Sequence, residues 1–193
     1  IMVRFRERYP GVGLRVMETD SAGAVEQILS RRADIGFAGT VLEETQCVYI
    51  PFYQDELVVI IPGEGLEGPE SAAETAAWIR RMPVILREEG SGTRKEAQRL
   101  LRQMGIELSE LNIVASIQNQ ETIKRSVRNG MGISILSRLA AEDEIRSGVL
   151  RAVPLGETGG KRNINLVFDR RSLHSTEAEK LIDLVKEMYP DNV

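Results

Sequence analysis

The sequence predicts an α/β fold divided between two small sheets, and three observations carry that prediction. Segments of strand periodicity and helix periodicity alternate along the whole chain, the pattern of α/β domains with mostly parallel sheets. The run Leu57-Val58-Val59-Ile60-Ile61 is apolar at every position, so its strand needs cover on both faces. The expected strands number about ten, unusual for one open sheet, so two smaller sheets are expected.

The elements follow in order. Ile1, Phe5 and Tyr9 share one face of a first helix that Pro10-Gly11 stops. Val12, Leu14 and Val16 alternate with Gly13 and Arg15, a half-buried strand pattern. Asp20-Ser21 can cap a helix carrying Val25, Ile28 and Leu29, and a short strand over 33–38 follows. Two strands are expected over 48–52 and 56–61, ended by Pro62-Gly63. Ser71-Ala72-Ala73-Glu74 reads as a capping box opening a helix through Trp78, which is expected in the core. After a strand over 84–86, Thr93-Arg94-Lys95-Glu96 reads as a second capping box, with Gly105 past the helix end.

A strand over 113–117, a helix over 121–129 and a strand over 132–136 come next. Ser137 caps a helix through Ile145, and a weak strand over 149–155 leads to a loop over 156–160. A strand over 163–169 and a helix over 176–189 close the chain.

Composition excludes several classes. The 193 residues carry a net charge of −4, without the basic excess of an autonomous DNA-binding module. A single cysteine, Cys47, and a single histidine, His174, exclude an internal disulfide framework and leave no basis for a Cys/His metal site. No cofactor is expected, and no apolar run nears the ~20 residues of a membrane helix. The chain opens at Ile1, inside an amphipathic helix, and therefore reads as a piece of something longer.

No enzyme constellation stands out. His174 reads as a surface histidine, Cys47 as a small apolar residue, and Glu43-Glu44 and Glu142-Asp143-Glu144 as solvated faces. No catalytic residue is assigned. The strongest local signal is Glu89-Gly90-Ser91-Gly92-Thr93-Arg94, which follows a strand and starts a helix. Free N–H groups at a helix N-terminus, with hydroxyls from Ser91 and Thr93, form an anion site. An ordinary capped helix explains the same residues, and both readings stand. The motif lacks the spacing of a Walker P-loop. Gly39-Thr40 and Gln118-Asn119-Gln120 also follow strands, at the ends where open α/β sheets bind ligands.

Phe5-Arg6-Glu7-Arg8-Tyr9-Pro10, then Leu14 to Glu18 and Ala33-Asp34-Ile35-Gly36-Phe37, resemble the start of the effector-binding domain of LysR-type transcriptional regulators. Glu56 to Pro62, Glu89 to Arg94, and Val127-Arg128-Asn129-Gly130-Met131-Gly132-Ile133-Ser134-Ile135-Leu136 continue the resemblance over nearly the whole chain. It implies a type 2 periplasmic-binding-protein-like fold of two Rossmann-like subdomains joined by two crossing strands. Residues 1–56 and 168–193 would form subdomain 1, and residues 57–167 subdomain 2. The family's first strand, with its Ser/Thr-rich loop, and its winged helix-turn-helix have no counterpart in these residues.

The resemblance also implies a function and a site. A small effector would bind between the subdomains and alter oligomer geometry to control transcription. Ser21, Gly39 and Thr40 in subdomain 1, and Ser91, Gly92, Thr93, Gln118, Asn119 and Gly132 in subdomain 2, match effector-facing positions of the family. The Gly-Ser-Gly-Thr-Arg turn resembles members that answer to small inorganic or sulfur-containing anions. Implied partners are a second copy in a homodimer or tetramer, and DNA through the absent N-terminal domain alone, with no membrane. The implied location is cytoplasmic. The alternative is the solute-binding protein of an ABC transporter for a small anion, which has the same fold.

Overall fold

Strand β2, Cys47–Pro62, is a single strand of 16 residues where the sequence predicts two. It and β7, Gly160–Asp169, are the segments in which the chain passes between two compact units. The computed structural model describes residues 1–42, 46–71, 73–156, 159–171 and 175–190. Glu43-Glu44, Ala72, positions 157–158 of the expected loop and His174 lie outside the described residues. Unit 1 is Ile1–Gln54 with Asn163–Val193, and unit 2 is Asp55–Arg162. The boundaries fall two and five residues before those expected at 56/57 and 167/168.

Unit 1 holds α1 (Met2–Arg8), α2 (Ser21–Leu29), β1 (Gly36–Ala38) and α7 (Thr176–Met188), with the outer parts of β2 and β7. β1 runs antiparallel to β7, with Gly36 opposite Val167 and Ala38 opposite Asn165. Phe5 of α1 is buried and stacks near Tyr9, as its helical spacing predicts. Ile182 and Val185 of α7 pack on Phe52 and Leu166. Arg8 pairs with Glu187, tying α1 to α7. Cys47 is buried beside Val25 and Ile28, as a small apolar residue would be.

The strand expected over 12–16 does not form. Two of its three apolar positions face solvent, with Leu14 44% and Val16 67% exposed, and Val12 is half-buried. Among the described residues no strand pairs with it, and alternation alone does not hold a strand without a neighbour.

Unit 2 contains α3 (Thr75–Arg81), β3 (Pro83–Arg87), α4 (Gly92–Gln103), β4 (Asn112–Ile117), α5 (Gln120–Arg128), β5 (Ile133–Ser137), α6 (Glu142–Arg146) and β6 (Leu150–Pro154). Strands β4, β3 and β5 are parallel, while β2 runs antiparallel to both β5 and β6. The mostly parallel expectation therefore holds only for β4-β3-β5, because the long β2 enters against them. All the strands belong to one seven-stranded sheet, since β2 and β7 run unbroken through both units; the expected two sheets are linked.

The continuous apolar run is explained by cover on both faces. Leu57, Val59 and Ile61 face one cluster with Trp78, Ile79, Leu100 and Leu101. Val58 and Ile60 face another with Ile85, Ile123, Val127 and Leu136. Alternate residues point to opposite faces of a strand, so both sets must be apolar here.

Both expected capping boxes are displaced. α3 starts after Glu74, four residues beyond Ser71, and the Ser71 carbonyl accepts from Thr75 Oγ1 at 3.3 Å. α4 is capped by Ser91, not Thr93, and Glu96 pairs with Arg99 instead of reaching back. Ser137 ends β5 instead of opening a helix; its Oγ accepts from the Ala140 amide at 3.2 Å, and a 3₁₀ turn, Leu139–Ala141, precedes α6.

Candidate functional site

The start of α4 is built by a sharp return from the C-terminal end of β3. The Ser91 amide donates to the Glu88 carbonyl at 3.1 Å, closing the turn. Ser91 is extended, and its Oγ accepts from the Arg94 amide at 3.3 Å. The first helical bond runs from the Lys95 amide to the Ser91 carbonyl. The amides of Gly92 and Thr93 are then the first-turn donors without a helical partner. Together with the helix dipole they favour negative charge at this spot.

Behind this turn lies a buried polar network that sequence reasoning missed. Arg162 and Asp55 stand where β7 and β2 leave unit 2, with side chains 7% and 1% exposed. Arg162 Nε donates to Asp55 Oδ2 at 2.9 Å, and its Nη1 donates to Thr93 Oγ1 at 3.2 Å. Asp55 Oδ1 accepts from Ser137 Oγ at 2.9 Å. The neighbouring pair Arg138–Glu56, at 2.7 Å, fixes the same end of β5 to β2. The available signal was a polar Gln54-Asp55-Glu56 step just before an apolar run, and an arginine at the head of a strand. Their partner Thr93 is far away in sequence, so spacing does not reveal the link.

The other residues of the turn face elsewhere. Arg94 turns back, donating to the Arg87 carbonyl at 3.0 Å, and Lys95 is exposed. Arg87 itself is buried against Glu88 at 2.7 Å. The positive charge near Thr93 therefore comes from Arg162.

The remaining expected positions in unit 2 do not all gather here. Asn119 is exposed and caps α5, accepting from the Thr122 amide at 2.9 Å; Gln118 beside it is exposed. Both follow β4 at the same strand ends as the α4 turn. Gly132 lies at the opposite ends of these strands, before β5 and next to Pro83. It has φ +157°, and a Cβ there would sit 2.4 Å from the Pro83 carbonyl oxygen. Close backbone approach accounts for that glycine.

In unit 1, Ser21 is the buried first residue of α2, which Asp20 caps through the Gly23 amide at 2.6 Å. Gly39 and Thr40 follow β1 and are half-buried. No metal-binding group of three or more His, Cys, Asp or Glu side chains occurs among the described residues.

Solved structures share this architecture. The CcmR regulatory domain of Synechocystis PCC6803, solved with 2-PG, matches with a TM-score of 0.83 at 22% identity, over 98% of this chain and 89% of that one. The effector-binding domain of QuiR, solved with shikimate, also gives 0.83, at 15% identity over 98% and 88%. The fold is thus that of a type 2 periplasmic-binding-protein-like effector domain. The chain belongs to the LysR substrate binding domain family, which it matches over residues 1–190. Among its relatives is the uncharacterized HTH-type transcriptional regulator YeiE of Escherichia coli K12, 36% identical over 159 residues. That match takes in 80% of this chain and 52% of YeiE, so the chain spans about half the length of this relative. YeiE and several further relatives are HTH-type transcriptional regulators. Among the described residues no helix is long and apolar enough to cross a membrane.

Proposed function

We propose that the chain is the sensing part of a cytoplasmic LysR-type transcriptional regulator, and that its effector is a small anion held by the first turn of α4. The observation that carries the reading is the convergence of the Gly92 and Thr93 amides with a Thr93 hydroxyl that faces the buried Arg162 guanidinium. Such donors suit an oxyanion and offer nothing to a hydrocarbon ligand. The 2-PG and shikimate held by proteins of the same fold are consistent with a small, polar effector.

Signalling would proceed by population shift. An effector that binds one conformation better biases the equilibrium by its differential affinity. The DNA-binding part of the longer protein and a second copy of the chain would read that bias. The net charge of −4 supports a division of labour in which this segment does not itself hold DNA.

Calorimetric titration of the full-length protein with sulfate, sulfite, thiosulfate and phosphate, beside neutral metabolites, tests the reading. Saturable binding of at least one anion is expected. Binding confined to uncharged ligands would overturn it.

A further inference from the structure

We propose that Asp55 sets the charge of the α4 site, and that Arg162, held by Asp55, fixes Thr93 as an obligatory hydrogen-bond donor to the ligand. The inference rests on the anion reading above and goes on to assign the residues that tune it.

The argument begins with donor chemistry. A guanidinium has only donors, so in the 3.2 Å contact Thr93 Oγ1 must accept from Arg162 Nη1. A hydroxyl whose lone pair is engaged in this way keeps its own hydrogen to give. No described residue accepts from Thr93 Oγ1, although Thr93 is only 8% exposed. Its hydrogen is left for an acceptor outside these residues, the part we assign to the ligand.

Charge points the same way. Arg162 is held through Nε and Nη2 on the same Asp55 oxygen, both at 2.9 Å, and the pair is almost solvent-free. Its net charge is zero, so the carboxylate cancels the attraction that Arg162 would otherwise exert on an anion. Ser137 occupies the other Asp55 oxygen and keeps the carboxylate in place. Removing the negative charge while keeping its shape should then strengthen anion binding even as it weakens the fold. A merely structural role predicts the opposite, because a loosened site binds less.

The test uses full-length wild type, Asp55→Asn, Thr93→Val and Thr93→Ser, titrated calorimetrically with sulfate and with phosphate, with thermal unfolding followed in parallel. Asp55→Asn is expected to lower the melting temperature yet tighten anion binding about tenfold, the scale of one partly buried charge interaction. Thr93→Val should weaken binding roughly tenfold or more by removing a donor to a charged group, and Thr93→Ser should restore it. Unchanged or weaker anion binding by Asp55→Asn, with wild type binding normally, overturns this inference and leaves the anion reading standing. If Asp55→Asn does not fold, equal affinities for wild type, Thr93→Val and Thr93→Ser overturn it. If wild type binds no anion at all, the proposed function fails and this inference falls with it.

Discussion

Ser91 and Thr93 are both hydroxyl residues able to cap a helix, and local sequence does not rank them. The ranking is set by where the chain becomes helical: Ser91 has extended torsions and Gly92 is the first residue of α4. Thr93 is thereby released from capping and turned to Arg162. The turn itself, with its two glycines and a helix starting after it, was readable from Gly90 to Thr93. The Asp55–Arg162 pair was not, because it joins two strands that meet only in the fold. Replacing Ser91 with Ala should therefore lower stability by about 1 kcal/mol through loss of the cap. Thr93→Ser keeps the acceptor for Arg162 and should leave the urea midpoint nearly unchanged. A midpoint unmoved by Ser91→Ala would take the cap away from Ser91.

At the scale of elements, the long amphipathic helices and the strands β3, β4 and β5 were legible in the sequence, and what held each in place was not. α4 and α7 combine apolar spacing with a hydroxyl residue at the start, and both formed within a residue or two of expectation. Strands depend on neighbours, which periodicity cannot supply, so β2 came out as one element and the 12–16 segment as none. The packing of α5 on α6 was equally invisible. Lys124, 8% exposed, reaches Glu121 and Glu144 at 2.8 Å each and the Ala140 carbonyl at 3.0 Å. Burial alone would raise the Glu144 pKa, but the Lys124 hydrogen bond, a backbone hydrogen bond and the Lys124 charge together outweigh it and hold the carboxyl below its ordinary 4.5. A carboxyl whose folded pKa is lowered adds stability above its unfolded value and loses it as pH falls through the folded one. For Lys124, burial lowers the pKa, yet the bonds to Glu121 and Glu144 together hold it above 10.5, so its share is lost only in strong alkali. Melting temperatures of wild type and Glu144→Gln should therefore differ at neutral pH and converge as pH drops below 4.5. A gap that stays constant across that range would remove the ion pair from the account.

For the whole molecule, the resemblance named the fold correctly because order and spacing of short motifs survive where single motifs are weak. It also implied an assembly, and α1 is where that implication meets the structure. The helix buries Phe5, while Val3 on the opposite side is 72% exposed and Met2 in the first turn 57%. The resemblance places α1 of one copy against a unit 2 helix of the other, for which α5 is the candidate, and α5 presents the charged Arg125 and Arg128 outward. An apolar ridge bordered by Arg4 and Arg8 on one helix, and a basic, polar face on the other, do not attract each other by charge. Any pairing through α1 must then draw on the apolar side chains, whose burial is worth about 25 cal/mol per Å². Val3→Glu puts a carboxylate on that ridge without touching the buried Phe5 side, so it should spare the fold. Light scattering of the full-length protein is expected to give the mass of a dimer or tetramer for wild type and a smaller mass for Val3→Glu at equal concentration. An unchanged mass, with the melting temperature also unchanged, would place the contact away from α1.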